Sequence, residues 1–388
     1  MPSHQTHTDW RAVWVVFVTG VACAYNLGKV ATAAAHLQSE LGLSLAEVGS
    51  LGATFAVLGA LGSIAAGSAV ARAGDRHMLI LGLLTMTAGA VAAVPTNSIV
   101  MLMVARTVEG LGFLLITVSG PTLIARITHK QDQGKALALW SCFMPGGMAL
   151  AMLTGPWFSN WRDIWLFTAV LTAMITVLVM RLTPALPTRQ LAPAPCARLS
   201  HVLSSAPLAI TFLLYSLMFF ALFSFLPVLL QQRMQASPTT VGILAALACL
   251  ANVLGNLCSA RILRRVSRHI LCLWVAIVMG ACAPGIFLPV FGPIPTLALC
   301  LLFSAVGGLI PASLLSAVPL VTRSPSQAAL AVGLLMQGSN MGVALGPLLV
   351  GRAVDGHGWP AAAVLVVAWA TAMAFIARWH INNPAQRA

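Results

Sequence analysis

Residues Ser44-Leu45-Ala46-Glu47-Val48-Gly49 stand at the head of a long apolar stretch, and Ser237-Pro238-Thr239-Thr240-Val241-Gly242 stand at the head of another, about 193 residues later. On the same offset Leu51 falls on Leu244, Leu61 and Gly62 on Leu254 and Gly255, and Arg72 on Arg265. The second half of the chain is therefore read as a copy of the first. Working outward from the two boxes, apolar stretches long enough to cross a bilayer as helices occupy approximately 11–36, 46–72, 78–94, 98–127, 135–158, 162–182, 206–231, 238–263, 270–291, 294–321, 327–350 and 360–379. The expected fold is an all-α membrane protein, twelve transmembrane helices in two pseudo-symmetric six-helix bundles. The organisation read from this is a first bundle at 1–182, a linker at 183–205 and a second bundle at 206–388.

Composition admits no soluble alternative. The chain is 59% hydrophobic and 7% charged, against about 25% charged in an ordinary soluble domain. The net charge of +13 invites a nucleic-acid reading, but the basic residues are unevenly placed. Most lie at one set of helix ends, whereas Arg162, Arg233 and Arg352 lie at the other and Lys29 and Arg106 lie within helices. That asymmetry is the positive-inside pattern, so the expectation is a multi-pass protein of the cell inner membrane with both termini cytoplasmic, a lipid bilayer around it and no nucleic acid. The linker carries Pro184, Pro187, Pro193 and Pro195 and has no apolar period. The eight cysteines show no metal-ligand or disulfide spacing, and neither a metal nor a cofactor is expected. The polar N-terminal decapeptide before the first helix is not read as a removable signal. No clear oligomerisation signal is present, and the chain is read as a monomer.

Duplicated helical halves are characteristic of secondary transporters, which hold one site between two bundles that rock against each other. Helix four contains Arg106 and Glu109, and at 1.5 Å per residue both lie near mid-membrane. A charge there is costly and usually functional; a spacing of three puts both on one face. Desolvation favours the neutral carboxyl and the guanidinium favours the charged one, so the pair can act as a proton relay. The competing reading is a fixed ion pair clamping helix four to helix one. Helix one offers Tyr25, Asn26 and Lys29; Lys29 either snorkels to the headgroups or joins Arg106 in giving a cavity a positive cast. Tyr215, Asn252, Asn256, Gln337 and Asn340 are uncharged polar groups in apolar runs, fit either for substrate or for interhelical hydrogen bonds. With Tyr25, Asn26, Lys29 and Arg106 they form the candidate substrate set. Phe219, Phe220, Phe223 and Phe225 are read as lipid and packing contacts. Pro145, Gly146, Gly147, Gly155 and Pro156 in helix five match Gly346 and Pro347 in helix eleven and are read as bending elements. No nucleotide loop or hydrolase motif occurs, and the scattered acids form no catalytic cluster, so the chain is not read as an enzyme.

Four features resemble the major facilitator superfamily, over nearly the whole chain. Arg106-Thr107-Val108-Glu109-Gly110-Leu111-Gly112 is similar to the family's Arg-x-x-x-Gly-x-Gly motif. Gly67, Arg72, Gly74 and Arg76 fit its Gly-x-x-x-Asp-Arg-x-Gly-Arg loop, with Ala71 where the family has Asp. The other two are the Pro/Gly cluster of helix five and the pair of Trp161-Arg162 with Gly358-Trp359. The resemblance implies alternating-access transport of a small solute, with Gly67, Arg72, Gly74 and Arg76 in a gating loop. The missing Asp implies weaker gating there, and Asp75, four residues on, is not expected to replace it. A further resemblance to the cyanate-transporter-like branch rests on Gly120-Pro121 through Arg126 and on Trp140 through Gly147. The expected function is proton-coupled movement of a small organic or inorganic anion, the alternative a proton-coupled drug or metabolite exporter.

Overall fold

The computed structural model describes residues 7–185, 199–318 and 325–382. Its helices are α1 (Trp10–Leu41), α2 (Leu45–Ala73), α3 (Asp75–Ala93), α4 (Ile99–Ile127), α5 (Gln133–Ser141), α6 (Phe143–Thr154), α7 (Trp161–Leu182), α8 (Leu199–Phe223), α9 (Leu226–Met234), α10 (Pro238–Ile262), α11 (Arg268–Phe287), α12 (Pro293–Gly307), α13 (Leu309–Leu315), α14 (Pro325–His357) and α15 (Trp359–Asn382). A 3-10 turn, Gly155–Trp157, extends α6. Twelve of the described segments are long and apolar enough to cross a membrane. Twelve crossings place both termini on one face of the bundle; the α1–α2 and α14–α15 turns lie on the other. α8 begins at Leu199, within the stretch 183–205 read as a linker, and residues 186–198 of that stretch lie outside the described residues.

Local chemistry sets the helix starts. Asp9 accepts the Ala12 amide of α1, and Ser237 accepts the Thr240 amide of α10. Ser44 and Glu47 form a reciprocal capping box on α2, which satisfies two otherwise orphaned amides. Three crossings that read as single helices are interrupted, between α5 and α6, α8 and α9, and α12 and α13. Each break lies two or three residues ahead of a proline: Pro145, Pro227 and Pro311. Proline is tolerated in the first turn of a helix, where its missing amide costs nothing, so each helix restarts just before its proline. Pro347, by contrast, lies inside the unbroken α14.

The two halves pack by the same rule. In the first, α1 lies against α4, α6 and α7, with α3 beside α4 and α7; in the second, α8 lies against α14, α10 against α12 and α11 against α15. The repeat is visible at single residues. A Cβ at Gly147 of α6 would meet the carbonyl of Val21, the side chain of Ala24 and the amide of Tyr25 on α1. A Cβ at Gly342 of α14 would meet the carbonyl of Leu213, the side chain of Ser216 and the amide of Leu217 on α8. The same three contacts recur on equivalent helices.

Two helix pairs join the halves, α2 with α14 and α6 with α10. They too are pseudo-equivalent: Gly49 packs on the backbone of Pro347, and Gly242 on the backbone of Met152. On the face away from the termini, the Asp355 carboxylate of α14 accepts the Leu45 and Ala46 amides of α2, at 3.2 and 2.7 Å. Nearer mid-depth, Asn340 donates to Ser63 Oγ at 3.2 Å. The seam is thus closed on the face opposite the termini.

Candidate functional site

Three charged side chains meet inside the first half. Lys29 of α1, Arg106 and Glu109 of α4 are each 0% exposed. Lys29 Nζ donates to Glu109 Oε1 at 2.8 Å, to Asn26 Oδ1 at 2.9 Å and to Thr168 Oγ1 of α7 at 3.1 Å, and lies 4.5 Å from the centre of the Trp165 ring. Arg106 Nη1 donates to Glu109 Oε2 and, at 3.0 Å, to the Asn26 carbonyl. Arg106 Nε donates to the Leu51 carbonyl of α2 at 3.3 Å, and the guanidinium stacks 4.2 Å above Phe55. Each carboxylate oxygen of Glu109 therefore holds one cation. Arg106 Nη2 is buried with no hydrogen-bond partner.

The cluster is dry. It faces α4 and α7, whereas Leu27, Gly28 and Ala31 on the opposite side of α1 line a pocket between the halves. That pocket is about 20 Å³, room for about one water. Its walls are mostly apolar and include Val48, Phe220 and Pro347. The burial decides between the two readings of Lys29 and narrows that of the phenylalanines. Lys29 does not snorkel: its head is fully inside the bundle, because Glu109 and two neutral acceptors replace its water. Phe219, Phe220, Phe223 and Phe225 are buried packing residues, not lipid contacts.

The second half holds an uncharged counterpart. Asn252 of α10 donates to Tyr215 Oη of α8 at 3.1 Å and to the Ser304 carbonyl of α12 at 3.1 Å. Asn256 donates to Asn252 Oδ1 at 3.0 Å. Asn256 Oδ1 and Ser304 Oγ are buried and unpartnered. The candidate substrate residues thus fall into separate groups. Asn26, Lys29 and Arg106 lie in the first half, and Tyr215, Asn252 and Asn256 in the second. Asn340 is on the seam, with Gln337 half-buried one turn away on α14. Tyr25 is tied to Thr154 Oγ1 of α6 at 2.7 Å. Thr168, Trp165, Ser304, Ser63 and Asp355 were not singled out in the sequence; of these only Thr168 carried a signal, as the first of three threonines at spacing four with Thr172 and Thr176.

In the loop between α2 and α3, Gly74 has φ 90°, a conformation that favours glycine. Asp75 opens α3 and accepts from Arg126 at 2.5 Å and Thr122 at 2.8 Å, both on α4. Arg76 donates to the Met180 carbonyl and Thr183 Oγ1 at the end of α7. These bonds tie the first half to itself. Arg72 is exposed. Of the helix-five and helix-eleven elements, Pro145 opens α6, Gly155 and Pro156 form the 3-10 turn, and Gly346 and Pro347 run within α14. Gly146 has open space beside it and Gly67 likewise. Among the described residues no three His, Cys, Asp or Glu side chains gather to hold a metal ion.

Comparison with known proteins places this architecture. The family model described as Major Facilitator Superfamily matches residues 16–324. A relative from Cupriavidus pinatubonensis, described as "Probable 4-methylmuconolactone transporter", is 30% identical over 146 residues, 36% of this chain and 34% of its own length. The arabinose-proton symporter of Escherichia coli K12 is 24% identical over 124 residues, 31% of this chain and 26% of its own. The matches therefore span about a third or less of these relatives' lengths. Among solved structures, a point mutant of the nucleoside transporter NupG aligns with a TM-score of 0.77 at 13% identity, covering 95% of this chain and 99% of that one.

Proposed function

The chain belongs to the Major Facilitator Superfamily, and from that premise we propose that it moves a small organic or inorganic anion across the inner membrane by alternating access, coupled to protons through the buried Glu109–Arg106 pair. The carrying observation is the cluster itself: three ionisable groups with no exposure, at a helix junction inside a bundle whose described core is mostly apolar. Removing charges from water costs several kcal/mol per ion, and a protein that needed only packing would fill the site with leucine. A cluster of two cations and one anion changes net charge when one proton leaves, and it bridges α1, α4 and α7, so its protonation state acts on helix packing.

The anion reading draws on the net positive charge of the cluster and on the relative described as a 4-methylmuconolactone transporter. The arabinose-proton symporter supports the proton as coupling ion. The excess of basic residues at the terminus-bearing face supports cytoplasmic termini. A second reading, the drug or metabolite exporter, is favoured by the apolar walls of the seam pocket. Purified protein in liposomes with an internal pH dye tests both. External 4-methylmuconolactone, cyanate and ethidium are added in turn. Proton movement driven by either of the first two supports the anion carrier; movement driven by ethidium alone supports the exporter. Solute flux with no proton movement rules out the coupling.

A further inference from the structure

The geometry points to Lys29, not Glu109, as the group that takes up and releases the exchanged proton; this rests on the proton-coupled reading above. With Lys29 and Arg106 charged and Glu109 ionised, the buried cluster carries one net positive charge. Protonating Glu109 would leave two buried cations sharing a neutral acid, raising the net charge further and removing the anion that holds them both. Deprotonating Lys29 leaves Arg106 paired with Glu109 and a cluster of zero net charge, the lowest-cost state in a dry interior. Arg106 does not exchange protons in proteins. The titratable or charged groups facing Lys29 are Glu109 and Arg106 of α4; α7 presents Thr168 and Trp165, and α1 presents Asn26.

The hydrogen bonds accommodate both forms without rebuilding the site. An ammonium has three donors, and Asn26, Glu109 and Thr168 accept all three. A neutral amine has two donors and a lone pair. The Thr168 hydroxyl, which donates to the Trp165 carbonyl at 2.9 Å, is also within reach of Nζ and can turn to donate to it. In the release step the Nζ–H bond breaks, its electron pair stays on nitrogen and the proton passes to water that reaches the cluster when the halves part; loading reverses this. The ionic tie between α1 and α4 weakens on release, and Gly28, next to Lys29, lines the seam pocket. The proton is thus held one residue from the surface that must open.

Lys29→Arg fixes the positive charge, Lys29→Met fixes the neutral form, and Glu109→Gln removes the anion. Each is reconstituted with the internal pH dye and driven by 4-methylmuconolactone and cyanate, near neutral pH and in mildly acid medium. The expected result is that Lys29→Arg, which keeps the cluster's positive charge, exchanges solute with no proton movement at any pH, and that Lys29→Met moves no protons at any pH. Glu109→Gln is expected to lose coupling near neutral pH and regain it on acidification, because Lys29 still carries the proton but without its counter-ion. Full coupling in either Lys29 variant overturns the assignment, as does a folded Glu109→Gln variant uncoupled at every pH. A solute-free check is differential proton titration of the detergent-solubilised proteins. Wild type takes up one proton per molecule more than Lys29→Met if Lys29 exchanges; an equal uptake by the two contradicts it. Wild type that carries solute without protons defeats the coupled reading itself, a separate outcome from failure of the Lys29 assignment.

Discussion

Glu109 is the residue on which the first half's interior depends, since each of its oxygens neutralises a different buried cation. Removing one partner of a buried ion pair costs about 3–5 kcal/mol because the other charge is left uncompensated. Glu109→Ala is therefore expected to lower the thermal midpoint of the purified protein strongly. Adding Lys29→Met should recover part of the loss, since one stranded cation goes with it, and the double-mutant cycle measures that coupling. A Glu109→Ala variant as stable as wild type would show that the cluster is not holding the helices. The Arg106–Glu109 pairing was legible in the sequence because both lie on one helix at spacing three. The engagement of Lys29 was not, because it depends on how α1 docks on α4 and α7. Asn252 and Asn256 were likewise legible as neighbours, whereas Ser304 had no pattern around it to mark it.

At the scale of elements, glycines decide where helices touch. Gly49 on α2 and Gly242 on α10 let backbones of opposite halves meet at Pro347 and Met152, and no side chain fits there without a shift. Gly49→Leu and Gly242→Leu are each expected to prise open the seam on the face away from the termini while leaving each half folded. Increased labelling of a cysteine introduced at Ala46, by a membrane-impermeant maleimide added to that side, reads the change; unchanged labelling would show that the crossing does not hold the seam. Hydropathy made the twelve crossings legible and the 193-residue repeat paired them. The breaks at Cys142, Phe225 and Gly308 escaped it, because an average over twenty residues is blind to one. The prolines just beyond them were visible, but Pro121, Pro284 and Pro347 lie within unbroken helices, so a proline alone does not say whether a membrane helix stops.

For the whole molecule, the closed face is held by a bond between a side chain and a helix end. Asp355 receives the first amides of α2, where the helix dipole favours negative charge, and it does so across the two halves. A short bifunctional thiol reagent bridging cysteines at positions 46 and 355, with native Cys142, Cys196 and Cys258 replaced, is expected to arrest solute exchange, and cleavage of the bridge to restore it. Undiminished exchange in the bridged protein would mean that these halves do not separate during transport. The duplication made this seam foreseeable as a place, but not as a set of contacts: the family's loop signature directed attention to Arg72 and Arg76 on the other face. Here Asp75 and Arg76 bind within their own half.

The buried charge cluster is proposed to couple solute to protons. The most direct test is the solute-driven proton signal of wild type and Glu109→Gln in the same liposome preparation near neutral pH, with solute exchange measured alongside. A proton signal is expected in wild type and none in Glu109→Gln, with solute exchange surviving in both. An undiminished proton signal in Glu109→Gln would reduce the cluster to a structural ion pair and place the coupling site elsewhere in the molecule.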